Sequence, residues 1–175
     1  MELQGQRVLV FAENDYEDLE LWYPKLRLIE AGAQVVVAGP GEAEYRSKHG
    51  YPARTDGAIT AFNVADFDAL VVPGGWAPDR LRRYEAILQF TRDMNSRGAV
   101  IAAICHAGWV LASADIVRGR RLTSVPAIKD DLKNAGANWV DEPCVVDGNL
   151  VSAQVPKDLP DFCREIISVL QSRRR

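Results

Sequence analysis

One cysteine of the chain stands where nucleophilic chemistry is possible. Cys105 follows directly after the apolar run AVIAAI (residues 99–104) and opens a segment of helical composition, CHAGWVLASA. A residue between a buried strand and a helix occupies the sharp turn known as a nucleophile elbow. The positive end of the helix would favour the thiolate and lower the pKa of the thiol. The alternative is a cysteine that only ends a buried strand, since free cysteine is a common core residue.

Backbone groups around this cysteine could hold a developing negative charge. The side chain of the next residue, His106, points about 100° away on a helix, so it is not expected to hydrogen-bond Cys105 as a triad base does. Its backbone N–H is better placed, because the residue after an elbow nucleophile usually supplies an oxyanion-hole donor. The pair Gly74-Gly75, after the apolar run ALVVP (69–73), offers the second donor. The alternative for His106 is a side chain that merely points into a crevice.

Acidic residues follow the first apolar run, RVLVFA (7–12). Glu17 starts a predicted helix, where the helix dipole favours a carboxylate whether or not it does chemistry. Beside a thiolate such a carboxyl would have a raised pKa and could donate a hydrogen bond or move a proton. Glu13, Asp15 and Asp18 compete with Glu17 for this role.

Buried strands and amphipathic helices alternate along the chain and must position these residues. The predicted strands are residues 7–12, 33–39, 69–73 and 99–104, a pair around 53–62 and a hairpin at 144–153; the predicted helices include 17–31, 79–96, 105–114 and 158–171. This order predicts parallel strands joined by right-handed crossovers, with helices on both faces. We therefore expect an α/β fold, a flavodoxin-like three-layer α/β/α sandwich with a mostly parallel central sheet. One domain is expected over residues 1–175, with residues 173–175 as a solvated or frayed tail.

Two of these helices have recognisable apolar faces. In the first, the buried face is predicted from helical spacing; its members are Leu19, Trp22, Leu26 and Ile29. In the last, the same reasoning selects Phe162, Ile166, Val169 and Leu170.

Composition excludes several classes of protein. The 175 residues include 21 Lys+Arg and 24 Asp+Glu, a net charge of −3, which argues against a general nucleic-acid binder. The longest apolar run, 99–105, is far shorter than the roughly 20 residues that span a bilayer, and the N-terminus lacks the apolar core of a signal peptide. Three cysteines without a CxxC pair favour a reducing cytoplasm over a disulfide framework. Cys144 and Cys163 are expected to pack rather than react.

Metal and cofactor sites are poorly supported. The two histidines, His49 and His106, have no zinc-ligand spacing, and neither GxGxxG nor GxxxxGK[ST] occurs. We expect no metal and no cofactor. Because no histidine follows His106, a conventional Cys-His-acid triad within one chain is unavailable unless His49 reaches the site, and a surface position is the better expectation for His49.

Six ordered segments resemble the PfpI family. This family comprises intracellular protease I and general stress proteins and is related to the parkinsonism-associated deglycase. The resemblance implies a class I glutamine amidotransferase-like fold. The six segments are NDYEDLEL (14–21), KHGY (48–51), DALVVPGGWAPDRLR (68–82), AICHAG (103–108), IKDDLKNAGANWVDEP (128–143) and VPKDLPDF (155–162).

The resemblance implies a role for each matching residue. Cys105 matches the reactive elbow cysteine, and His106 matches the histidine of the Cys-His pair. Glu17 matches the glutamate whose protonated carboxyl contacts the sulfur, and Gly75 matches an oxyanion-hole glycine. Asp79 falls where some members present an acidic side chain to the histidine of a neighbouring subunit, which implies self-association as a dimer or a larger assembly.

Two residues depart from the family pattern, and three functions remain open. Ala107 replaces a common glycine, which would narrow the approach to Cys105, while Gln154 replaces an arginine often found near the site. The first function is a deglycase or cofactor-free glyoxalase acting on reactive carbonyls or glycated protein side chains, with Cys105 attacking a methylglyoxal or glyoxal adduct and Glu17 moving the proton. The second is a redox-responsive stress protein whose cysteine is oxidised. The third is a cysteine peptidase active as an oligomer.

Overall fold

The strands and helices of the computed structural model lie within residues 1–173, the range that the structure describes. The strands are β1 (Arg7–Phe11), β2 (Gln34–Gly39), β3 (Glu44–Arg46), β4 (Pro52–Arg54), β5 (Gly57–Ala58), β6 (Ala69–Val72), β7 (Val100–Ile104), β8 (Arg121–Leu122), β9 (Asn138–Trp139), β10 (Cys144–Asp147) and β11 (Leu150–Ala153). The α-helices are α1 (Asp18–Glu30), α2 (Ala77–Leu81), α3 (Glu85–Ser96), α4 (Gly108–Ser113), α5 (Lys129–Asn134) and α6 (Leu159–Ser172).

The central sheet of the described range has seven strands in the order β10-β11-β7-β6-β1-β2-β5. Every neighbouring pair is parallel except β10-β11, which is antiparallel. The strands β6 and β7 are buried along their whole length, as strands are when helices cover both faces of a sheet. Helix α1 packs against helix α6, and helix α3 packs against helix α4. The expected α/β sandwich with a mostly parallel sheet is confirmed.

The region between β2 and β6 departs from the expected strand pair at 53–62. Here β3 pairs antiparallel with β4, and β5 extends the main sheet beside β2. The fully buried Tyr45 fixes this hairpin, because its hydroxyl accepts the N–H groups of Gly41 and Glu42, each at 3.0 Å. A side chain at Gly39 would lie 2.3 Å from the Tyr45 ring, so only glycine permits this approach.

The buried face of α1 differs from the predicted one. Three of the four residues expected in the core, Leu19, Leu26 and Ile29, are exposed. The face toward the sheet consists of Glu20, Leu21, Pro24 and Leu28. The prediction was wrong because it followed the spacing of apolar side chains alone, whereas this helix buries a glutamate and leaves an apolar stripe at the surface.

The remaining elements agree more closely with the sequence. The hairpin β10-β11 forms as expected, with Gly148 in its turn at φ +61°. In α6 the expected face is buried at Phe162, Ile166 and Leu170 and half-buried at Val169. Of the expected tail at 173–175, Arg173 donates a hydrogen bond to the Gly98 carbonyl, and residues 174 and 175 lie outside the described range. In residues 1–173 the longest apolar stretches of helix fall short of what crossing a membrane requires.

Candidate active site

The loops that follow β1, β6 and β7 meet at the carboxyl ends of their strands. Tyr16, in the loop after β1, joins two other segments through isolated β-bridges. One bridge is with Gly75, after β6, and the other is with Ser47, after β3. The strand order reverses between β1 and β6, since β2 lies on one side of β1 and β6 lies on the other. Ligands of open α/β sheets bind in the crevice at such a reversal.

Cys105 occupies the turn predicted for it, directly after β7. Its φ is +63°, in the left-handed region that non-glycine residues rarely adopt and that costs about 1–3 kcal/mol. One turn of 3-10 helix, Cys105–Ala107, precedes α4. The thiol is free and half-buried. The fold therefore holds this side chain in a strained position in the crevice rather than in the core.

Two backbone N–H groups, those of Gly75 and His106, donate hydrogen bonds to the Cys105 sulfur. Gly75 adopts φ +72°, and a Cβ there would lie 2.5 Å from the Asp15 carbonyl oxygen and 2.5 Å from the Glu17 nitrogen. Glycine is thus required for its amide to reach the sulfur. These are the two groups that the sequence nominates as oxyanion-hole donors.

The carboxyl beside Cys105 belongs to Glu20, not to Glu17. Glu20 is fully buried, hydrogen-bonds Cys105, and accepts the Gly74 N–H at 2.8 Å. Glu17 is the N-cap of α1, where its Oε2 accepts the Glu20 N–H at 3.0 Å. The assignment of the sulfur contact to Glu17 is corrected: the N-cap lies one helical turn before the residue that faces the sheet.

Glu20 and Cys105 form a coupled acidic pair. Burial, together with the charge of Glu17, raises the pKa of Glu20 to about 8. Burial and the charge of ionised Glu20 raise the pKa of the Cys105 thiol to about 12, and the N–H groups of His106 and Gly75 act in the opposite direction. The expected lowering of this thiol pKa is therefore contradicted, because desolvation and a neighbouring acid outweigh the backbone donors. Glu20 remains protonated at neutral pH, and its charge then does not oppose the thiolate.

His106 lies closer to the sulfur than the sequence suggests, with Nδ1 3.3 Å from Cys105 Sγ. The expectation that adjacent side chains diverge assumed an α-helix, but Cys105 has a positive φ and residues 105–107 form a 3-10 turn. Burial lowers the pKa of His106, and the charge of Lys48 lowers it further. The imidazole is therefore neutral at pH 7 and able to accept a proton from the thiol.

Lys48 lies in the site, although no role was expected for it from the sequence. It follows β3, its N–H donates to the Tyr16 carbonyl at 3.0 Å, and its Nζ lies 3.9 Å from Glu17 Oε1. Its charge lowers the pKa values of Glu20 and His106, which flank the sulfur. Its side chain reaches the site from a separate hairpin, and no spacing in the sequence marks that approach. Glu20 did carry a signal, because residues 20, 24 and 28 repeat at the spacing of one helix face.

The other predicted site residues have separate partners. Asp79 pairs with Arg83 at 2.6 Å within the same chain, so its contact with a histidine of a second copy stays a prediction. His49 is exposed, as expected, with Nδ1 2.7 Å from Asp18 Oδ2. Asp15 pairs with Arg80 at 2.6 Å.

Glu13 and the two departures from the family pattern lie in polar or buried surroundings. Burial raises the pKa of Glu13, whose Oε1 accepts the Asn14 N–H at 2.7 Å. Ala107 is fully buried. Gln154 donates to Asp141 at 2.9 Å and to Thr123 at 3.1 Å.

One group of potential metal ligands lies near the site. Ligand atoms of Glu17, Asp18 and His49 are all within 4.8 Å of one another. Protein groups already engage these atoms: Asp18 accepts from Ser47 at 2.6 Å and contacts His49, and Glu17 caps α1. The cluster is accounted for by the docking of the β3-β4 hairpin on the start of α1.

Comparison with known proteins extends these findings over nearly the whole chain. A deglycase of Pyrococcus abyssi is 47% identical over 165 residues, covering 94% of this chain and 99% of the relative. The deglycase PfpI of Pyrococcus furiosus is 41% identical over the same length, with the same coverage of both chains. Among solved structures, Drosophila melanogaster DJ-1beta is 30% identical with a TM-score of 0.89, covering 96% of this chain and 91% of that one.

A second solved structure contains the same fold as part of a larger protein. A two-domain protein of Anabaena variabilis with DJ-1/ThiJ/PfpI-like and ferritin-like domains is 37% identical with a TM-score of 0.92. The match covers 97% of this chain and 52% of that one. The family profile described as DJ-1/PfpI matches residues 6–169. The resemblance drawn from the sequence segments is confirmed, and the chain belongs to the DJ-1/PfpI family.

Proposed function

We propose that this protein is an enzyme of the deglycase or glyoxalase type, in which Cys105 attacks methylglyoxal, glyoxal or their early adducts. The observation that carries the proposal is the set of groups around one sulfur: two backbone donors, a neutral imidazole at 3.3 Å and a buried carboxyl. Relatives named as deglycases over nearly the full chain support the same substrate class.

In the first step the Cys105 sulfur forms a bond to the aldehyde carbon of the substrate. The thiol proton passes to Nδ1 of His106, which is neutral because burial lowers its pKa. The carbonyl π electrons move to oxygen, and the Gly75 and His106 N–H groups stabilise the resulting oxyanion. With an amine adduct, the C–N bond breaks instead and the amine leaves with a proton.

The later steps need no oxidant. In the hemithioacetal, a proton moves from the first carbon to the second, which converts the group on sulfur to a thioester. Glu20, the carboxyl in contact with the sulfur, is our candidate for this transfer, in place of Glu17. It first gives its proton to the oxyanion, and the resulting carboxylate takes the proton from the first carbon and delivers it to the second, while the hydroxyl proton passes to the second oxygen. Water then hydrolyses the thioester, releasing a 2-hydroxy acid and restoring the thiol.

The test is product formation by matched cysteine variants. Wild type and Cys144→Ala should both convert methylglyoxal to lactate, whereas Cys105→Ala should not. Cys144 is a suitable control because it is also half-buried, and burial likewise raises its pKa to about 12. Buffers must contain no amines or thiols that consume methylglyoxal. The proposal would be contradicted if Cys105→Ala formed as much lactate as wild type, or if wild type formed none.

A second function, a response to oxidation, is favoured by the contact between Glu20 and Cys105. Two equivalents of peroxide would each deliver one oxygen to the sulfur, giving a sulfinate that the protonated carboxyl stabilises by hydrogen bonding. The mass of the wild-type peptide that contains Cys105 should then rise by that of two oxygen atoms. The Glu20→Ala variant should stop at a lower oxidation state; an unchanged product would remove this candidate.

A further inference from the structure

Three aromatic rings form a cluster at the mouth of the crevice. The His106 ring lies 5.0 Å from the Trp76 ring and 5.0 Å from the Trp109 ring, measured between centroids. The two indoles lie 6.3 Å apart and nearly parallel, at 26°. The imidazole therefore packs against both indoles, while its Nδ1 lies 3.3 Å from Cys105 Sγ.

Trp109 is itself held in place from two directions. Its Nε1–H donates to Asp131 Oδ2 at 2.8 Å, which fixes the indole within its plane. The Arg82 guanidinium lies over the ring at 5.6 Å, within the range of a cation-π interaction. Trp76, by contrast, is 57% exposed and follows directly after the oxyanion donor Gly75.

A neutral imidazole that accepts a proton from a thiol must be oriented, and a third group usually does this. In Cys-His-acid sites that group is a carboxylate bonded to the second ring nitrogen. Within residues 1–173, no carboxylate is hydrogen-bonded to the His106 ring. Within a single copy, the rings that pack on His106 are those of Trp76 and Trp109, and they constrain it in addition to the contact predicted for Asp79 of a second copy.

We propose that Trp109, together with Trp76, is a positioning residue that holds His106 Nδ1 against the sulfur of Cys105. In this proposal both indoles act through the imidazole, on which they pack. The proposal rests on the proposed function only in taking Cys105 as the reactive group.

Burial and the charged groups around His106 determine its pKa, and therefore how that pKa should change when the ring is packed less tightly. Lys48 faces it from the β3-β4 hairpin, Glu20 lies across Cys105, and Asp131 and Arg82 lie behind Trp109. Burial is the larger cause of the lowered His106 pKa, and the charge of Lys48 is the smaller one. Removing an indole admits water to the ring, so the pKa of His106 should rise toward its ordinary value.

The experiment compares Trp109→Ala, Trp109→Phe and Trp76→Ala with wild type, using Trp139→Phe as the matched control. Trp139 also donates its Nε1–H, to Ser124 Oγ at 3.0 Å, and also lies under a cation, Lys133 at 5.9 Å, but it does not pack on His106. Two readouts are independent of turnover: the rate of Cys105 alkylation by iodoacetamide, and the His106 titration by NMR. The chain has only two histidines, so the signal of exposed His49 serves as an internal reference.

We expect Trp109→Ala to raise the pKa of His106 and to slow alkylation at pH 7 by about tenfold to a hundredfold, the cost of a misplaced catalytic group. Turnover of methylglyoxal should fall in kcat with little change in KM. Trp109→Phe should restore most of the rate because a ring still packs on the imidazole, and Trp139→Phe should match wild type. If Trp109→Ala does not fold, Trp76→Ala decides, because an exposed side chain can be removed without a core defect.

The proposal is overturned if Trp109→Ala or, where that variant fails to fold, Trp76→Ala keeps the wild-type alkylation rate and the wild-type His106 titration. It is also overturned if Trp139→Phe slows alkylation as much as Trp109→Ala does. Absence of methylglyoxal turnover in wild type would instead contradict the proposed function. The alkylation rate of Cys105 and the titration of His106 would still test the role of the two indoles.

Discussion

Three titratable side chains lie together in the site: the Cys105 thiol, the Glu20 carboxyl and the His106 imidazole. Glu20 has one oxygen, Oε2, that accepts the Gly74 N–H, while in the described residues its buried Oε1 has no hydrogen-bond partner. A buried carboxylate with so few donors is costly, so the neutral form is favoured up to pH about 8. The carboxyl can then donate its proton toward the sulfur, while His106 accepts the thiol proton.

The stability of the protein should therefore depend on Glu20 and pH together. The folded pKa of Glu20, about 8, lies above its ordinary value of 4.5, so the folded state binds more protons between these values. Wild type should lose stability relative to Glu20→Gln as pH rises from 4.5 to 8, by on the order of a few kcal/mol. Urea unfolding of both proteins at pH 5, 7 and 9 measures the difference. A difference that is the same at all three pH values would contradict a buried, proton-binding Glu20.

Sequence reasoning at this scale succeeded where residues follow strands and failed on the helix. Cys105 and Gly75 could be located because apolar runs mark the strand ends. Glu20 was missed, although residues 20, 24 and 28 share one helix face, because the buried face was assigned from apolar spacing alone, which selects the exposed stripe of α1. The His106 contact was missed because it depends on a backbone angle that composition does not reveal.

Among the elements, the loop after β6 controls the distance between α1 and β7. A Cβ at Gly74 would lie 2.3 Å from Glu20 Oε2, 2.7 Å from Cys105 Cβ and 3.0 Å from the Ile104 carbonyl oxygen. Because Gly74 has no side chain, the carboxyl of Glu20 in α1 and the side chain of Cys105 after β7 can both lie close to its backbone. The alternation of strands and helices predicted that these loops converge, but not how closely.

Gly74→Ala should separate Glu20 from Cys105. We expect a loss of roughly 1–3 kcal/mol in unfolding free energy from overpacking, and a changed pH profile of Cys105 alkylation. Gly41→Ala is the control, because a Cβ there meets nothing within 4 Å. Urea unfolding and iodoacetamide kinetics measure both effects. Wild-type stability and reactivity of Gly74→Ala would show that the loop has room that the structure does not indicate.

On the scale of the whole molecule, α1 presents an unusual surface. Its outer face carries an apolar stripe, defined here as Leu19, Tyr23, Leu26 and Ile29. Single exposed apolar residues are ordinary, but a contiguous set on one helix is typical of a protein interface. We propose that a second copy of the chain covers this stripe, which agrees with the self-association that the sequence resemblance implied.

A charge placed in the stripe should break that association. Wild type is expected to sediment as a dimer or a larger assembly, and Leu26→Asp should shift it toward the monomer, because burying an unpaired carboxylate is costly. Gln171→Asp, at an exposed position of α6, is the control and should sediment like wild type. A wild type that remains monomeric at high concentration, or an assembly unaffected by Leu26→Asp, would place the interface elsewhere or remove it.

The most direct measurement of the central claim is to locate the covalent intermediate. Wild type mixed with methylglyoxal, quenched in acid within one turnover and digested, should carry the substrate mass on the peptide containing Cys105. The same peptide from Cys105→Ala should be unmodified, and the Cys144 and Cys163 peptides of both proteins should be clean, because burial raises the pKa of those two thiols to about 12 without an imidazole beside them. Substrate mass found only on lysine or arginine peptides, with the Cys105 peptide unmodified in wild type, would contradict the assignment of Cys105 as the nucleophile.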